Sequence, residues 1–296
     1  MLTSFFKTSK PIHYIITLLM VGIITGYFVV SHPHLGWRFI WIPLATIVSV
    51  AVFQFITLKN DLTQSSSYSL WVYSCLIIIG IIYTTDNFSF VAFLLSLLAL
   101  RRLISMRSGS GLVKKIFDAS FWIAVATLFY SWSSLFFIVI FLSIVIYSFK
   151  NLKYWTIPFI AVCCVAILTF TLDQLSGTNH LFNALTGYDH RVDLETFKIS
   201  LSFIVSSIIA VLGFLFALIT LFGFPNISLS ARSRFSILGF TGICSSIFMI
   251  ISGIAIFTIP IVAIFLSRLI QETANKALKE TLLWLPFISM LILLFL

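Results

Sequence analysis

Charged side chains make up only 9% of this sequence of 296 residues, where soluble domains carry roughly a quarter. Carboxylates are the scarcest, nine Asp and Glu against 18 Lys and Arg. That shortage excludes a water-soluble fold. The longest polar interval, 173–197, spans 25 residues, below the ~40 that an independent core usually needs. One membrane domain over 1–296 is expected, without an attached soluble module. Catalytic signatures are missing too. No G-x-x-x-x-G-K-[ST], G-x-S-x-G or H-E-x-x-H occurs, so nucleotide-binding, esterase-type and zinc-peptidase motifs are absent.

Cysteine and histidine are sparse in the same way. Cys75, Cys163, Cys164 and Cys244 form no C-x-x-C and lie in apolar runs. They read as small core residues rather than as a disulfide framework or a metal site. The five histidines, His13, His32, His34, His180 and His190, include one close pair, H-P-H. A metal centre needs three or more convergent ligands, so these read as solvated loop residues. No metal and no cofactor are expected.

What is present is apolar: 60% hydrophobic residues, 32 of them Phe, and a mean hydropathy of +1.13. Runs of membrane length recur from Ile12 to the end, which predicts an all-α, polytopic transmembrane bundle. Its orientation rests on one basic stretch. Arg101, Arg102, Arg107, Lys114 and Lys115 fall within 15 residues, with an apolar run on each side. Such a cluster marks a cytosolic connector.

The run 117–149 is 33 residues long, about 50 Å as one helix against a hydrocarbon core of ~30 Å. A hairpin broken at 131–134 places 15 Lys and Arg inside and 3 outside, whereas a single helix gives 10 and 8. The positive-inside rule selects the hairpin. Eleven spans follow: 12–30, 38–58, 69–84, 88–105, two within 117–149, 154–172, 198–224, 237–257, 261–270 and 281–296. The N-terminus is expected in the cytosol and the C-terminus outside. Lys7 and Lys10 before the first run resemble the start of a signal peptide, but VVSHPH offers no small-x-small cleavage site, so the helix reads as retained.

Several residues qualify as candidates for chemistry or packing. Asp118 is the nearest approach to an intramembrane carboxylate. Three and four residues after Lys115 and Lys114, at a helix start, it reads as structural. Gln54 and Arg268 are expected to snorkel from span ends. Arg268 with Glu272, and Lys276 with Glu280, have i,i+4 spacing. Gly22 and Gly26 form a G-x-x-x-G, and Ser202, Ser206, Ala210, Gly213 and Ala217 form a small-residue stripe. In the external loop, Y-D-H-R at 188–191 is the densest polar cluster. Asp189 and His190 are therefore acid–base candidates there.

The segments FFKTSKPIHYII and LALRRLISMRSGSGLVKKIFDASFWIAVATLFYSW resemble a family of uncharacterised bacterial multi-pass inner-membrane proteins of about 300 residues. The likeness covers most of the chain and implies the bacterial inner membrane. More distantly, NFSFVAFLLSLLALRRLI with its loop and short hairpin is similar to the membrane core of GT-C glycosyltransferases. That likeness implies a polyprenyl-phosphate sugar donor and an essential carboxylate in the first external loop. The first loop here, SHPHLGW, has neither Asp nor Glu, which leaves Asp86 in the second as the substitute.

Three readings of function result. The first is a non-catalytic accessory subunit with a protein partner in the same membrane. The second is a polyprenyl-phosphate-dependent transferase or a polyprenyl-lipid binder, and the third is a transporter. The net charge of +9 lies in short connectors. It is therefore assigned to anionic membrane lipids, with Arg101, Arg102, Arg107, Lys114 and Lys115 as headgroup ligands, and not to nucleic acid.

Overall fold

The computed structural model of the chain describes residues 2–31, 38–64, 66–84, 87–148, 151–177, 201–222 and 229–295. Among these the secondary structure is helical, with no strand. The helices are α1 (Leu2–Phe6), α2 (Pro11–Ser31), α3 (Arg38–Lys59), α4 (Tyr68–Tyr83), α5 (Asn87–Ser105) and α6 (Leu112–Phe129). They continue with α7 (Phe136–Ser148), α8 (Leu152–Ser176), α9 (Leu201–Phe222), α10 (Leu229–Ser252), α11 (Ile259–Glu272) and α12 (Lys276–Phe295).

Seven of them, α2, α3, α5, α8, α9, α10 and α12, are long and apolar enough to cross a membrane. That is the signature of a multi-pass membrane protein. Helices α4 and α7 are apolar but shorter, α11 has 14 residues, and α6 opens on Lys114, Lys115 and Asp118. The run 117–149 is not one helix. At Tyr130 the backbone turns extended, with φ −149° and ψ 105°. A 3₁₀ turn, Ser131–Leu135, then leads into α7.

Two compact units divide the chain, Met1–Thr85 with Ile259–Leu296, and Asp86–Thr258. In the first, α4 is buried along nearly its whole length by α2, α3, α11 and α12. The rings of Phe53 and Tyr73 stack at 3.9 Å between α3 and α4.

The N-terminal residues are part of this core. Phe6 is buried and packs on Trp71, whose indole N–H donates to the Leu283 carbonyl at 3.2 Å. Glu280 does not simply follow the expected i,i+4 pairing with Lys276. Its carboxylate accepts from the Leu2 N–H at 2.8 Å and from the Thr3 hydroxyl at 2.5 Å. His13 is likewise no solvated histidine: it is 2% exposed, lies against Phe5 and Phe6, and shares a hydrogen bond with Ser67 at 3.1 Å. Gln54 does not snorkel either. It is buried and donates to the Tyr14 hydroxyl. Arg268 does meet Glu272, at 3.6 Å.

In the second unit α5 pairs with α6, α6 with α8, α9 with α10, and α7 with α10. Glycine makes the α9–α10 approach possible. A Cβ on Gly239 of α10 would stand 2.6 Å from Thr220 Oγ1 of α9, and one on Gly213 of α9 would overlap the side chain of Thr258, in the 3₁₀ turn that follows α10. The buried stripe Ser206, Ala210, Gly213 and Ala217 lies along α9. Gly22 and Gly26 do no such work. A Cβ at 22 would meet only Ile47 at 3.7 Å, and one at 26 nothing within 4 Å. Cys75 and Cys244 are core residues as expected, but Cys163 is exposed.

Helix ends differ from the expected spans where charge or glycine shifts them. Helix α8 runs on to Ser176, with Gly177 closing it at φ 64°, so Asp173 is a buried helical residue. Helix α10 stops at Ser252, before Gly253 at φ 72°. It also starts at Leu229, so Arg232 and Arg234 stand on the helix rather than in a loop. Positive φ favours glycine because no Cβ meets the backbone.

Candidate functional site

The basic stretch is the best-described candidate, and helix geometry brings it together at one end of the second unit. Gly109 and Gly111 both take left-handed conformations, φ 66° and 61°, which reverses the chain between α5 and α6. The reversal sets the end of α5 beside the start of α6. There Arg102 and Asp118 form an ion pair at 2.9 Å. The Asp118 carboxylate thus reaches across to α5, beyond the lysines three and four residues before it. Lys115 turns back on the loop, donating to the Ser105 carbonyl at 2.6 Å and the Ser108 hydroxyl at 2.5 Å.

These engagements sort the five cations. Arg102 and Lys115 hold the turn, Arg101 is half-buried on α5, and Arg107 and Lys114 are exposed. Two residues from other helices join this end. Tyr147, near the end of α7, has a buried hydroxyl beside Ser233 and within electrostatic range of Arg234 and Arg107. Arg234 is only 5% exposed. Among the described residues, the connectors α5–α6, α7–α8 and α9–α10 with their flanking turns carry eight Lys and Arg, and Asp118 is the one carboxylate in them.

Lys114 overlooks a groove of about 340 Å³ between α6 and α8. Its other lining residues are Val113, Phe117, Asp118, Ile157 and Ile160. One wall is therefore apolar, and the rim carries an exposed ammonium beside an already paired carboxylate. That arrangement fits an amphiphile with a negative head better than a polar metabolite.

Asp86, Asp189 and His190 lie outside the described residues, as do His32, His34 and His180. Among the described residues no group of three or more His, Cys, Asp or Glu converges as metal ligands would. Reading the sequence missed Tyr147 and the two α8 isoleucines. Their place in the site depends on which helices pair, and local periodicity does not encode that. No family model, curated protein or solved structure matches the chain.

Proposed function

We propose that the chain is an accessory protein of the bacterial inner membrane, without a catalytic centre of its own, whose basic end lies in the cytosolic headgroup layer and holds anionic lipid. The observation that carries this reading is the imbalance of eight cations to one carboxylate among the described residues at that end, with Arg107 and Lys114 exposed. Anionic headgroups attract each nearby Lys or Arg by about 1 kcal/mol. Arg101 and Arg102 are poor sites for a test, because removing Arg102 strips Asp118 of its partner. The double variant Arg107→Gln with Lys114→Gln leaves the turn intact. It is expected to lose about 2 kcal/mol of affinity for phosphatidylglycerol, roughly thirty-fold, read by native mass spectrometry of the purified protein. Unchanged lipid retention in a correctly inserted variant would reduce the basic end to a topology signal.

The same reading includes the topology. Each of the eleven apolar helices α2 to α12 crosses the bilayer, with the N-terminus cytosolic and the C-terminus outside. The 15 to 3 distribution of Lys and Arg supports it. The correspondence of those helices with the eleven apolar runs supports it too. Ser133 is buried and Ser134 exposed, so Ser134→Cys is the better probe of the outer turn. In a background lacking the native cysteines, a membrane-impermeant maleimide applied from outside should label Ser134→Cys. Ser110→Cys should react only after permeabilisation. The reverse pattern would invert the assignment.

A further inference from the structure

We infer that the α6–α8 groove is a site for one anionic phospholipid, its single phosphodiester on Lys114 and one acyl chain along Phe117, Ile157 and Ile160. The inference rests on the cytosolic, lipid-facing reading of the basic end and gives that reading a discrete site.

Depth is the first argument. Helix α8 begins Leu152-Lys153-Tyr154-Trp155, and Tyr and Trp sit at headgroup level in membrane proteins. Trp155 is held there by stacking on Phe141, with ring centres 6.0 Å apart. Ile160 lies seven residues beyond Lys153, roughly 10 Å deeper along the helix. On the facing helix, Lys114 is the third residue of α6 and Phe117 the sixth. The groove therefore runs from the charged layer into the hydrocarbon, with its cation at the shallow end.

Charge is the second argument, and it selects the occupant. A phosphate monoester, as on a polyprenyl phosphate, carries about −1.5 to −2 at pH 7 and needs several cations around it. This groove presents one free-standing lysine, beside a carboxylate that Arg102 already neutralises. A single ammonium matches the single charge of a phosphodiester. Size agrees: a groove of about 340 Å³ has room for the upper part of one acyl chain and not for two.

The decisive variant alters shape without altering charge. Ile160 is 54% exposed and Val113 is 47% exposed, so Ile160→Trp and Val113→Trp fill the groove without disturbing the core. Each is expected to retain one phosphatidylglycerol fewer than the wild type in native mass spectra. Lys114→Gln is expected to weaken that same lipid roughly five-fold. Phosphatidylethanolamine should not replace it. If both tryptophan variants keep the full complement of phosphatidylglycerol, the groove site is wrong. If Arg107→Gln with Lys114→Gln still loses lipid in that case, the broader headgroup reading survives without it. Displacement by Ile160→Trp of a bound isoprenyl phosphate rather than phosphatidylglycerol would also overturn the assignment.

Discussion

Gly239→Leu is expected to destabilise the second unit by about 3 kcal/mol, the upper part of the overpacking range. A Cβ at this position would lie 2.6 Å from Thr220 Oγ1 and 3.0 Å from Leu221 Cγ. Neither neighbour can step aside cheaply. The Thr220 hydroxyl donates to the Ala217 carbonyl at 2.7 Å, and both residues belong to the helix that packs on α10. Helix association in a bilayer lacks a hydrophobic driving force and depends on such close backbone approach. Gly26→Leu is the matching control, since nothing lies within 4 Å of that site. Thermal unfolding in mild detergent should show a clear loss for the first and almost none for the second. Equal behaviour of the two would remove the packing argument.

Phe248→Ala should lose about 3 kcal/mol, the lower end for a buried phenylalanine. Phe248 is fully buried, 4.3 Å from Phe257 and 5.5 Å from Tyr130 between ring centres. In water the loss would combine a transfer term with a cavity term. Here the unfolded reference leaves the ring in lipid, so the cavity and the lost ring contacts carry most of it. Phe170, on the outward side of α8 at 56% exposure, has the same chemistry and no such neighbours to lose. Phe170→Ala should therefore be close to neutral in the same unfolding assay. A large loss there would mean that burial against protein is not what distinguishes the two.

Much of the helix order was legible because apolar runs, glycine and charge punctuate it strongly. The break expected at 131–134 rests on run length and charge arithmetic, and the backbone turns extended one residue earlier, at Tyr130. Long-range partners were not legible. Nothing near His13 announces Ser67, 54 residues away. Nothing in residues 2–6 announces that Glu280 receives Leu2 and Thr3 or that Trp71 packs on Phe6. Arg234 read as a loop residue because arginine is rare inside apolar helices, yet α10 extends beneath it. The candidate site divides the same way. Its cations were visible in one stretch of sequence, whereas its apolar wall is borrowed from α8.

The Leu2 to Glu280 hydrogen bond spans 278 residues, and this sets an order of assembly. Synthesis proceeds at roughly 5–20 residues per second, so about 15–55 s separate the making of the two partners. Over that interval α2, α3 and α4 wait in the bilayer without α11 and α12. Trp71 of α4, whose indole N–H ends on the Leu283 carbonyl and whose ring ends against Phe287, has neither partner while it waits. The Asp86–Thr258 unit is continuous in sequence and has every helix it needs before residue 259 is added. The part of the chain made in the middle is therefore finished before the part made first.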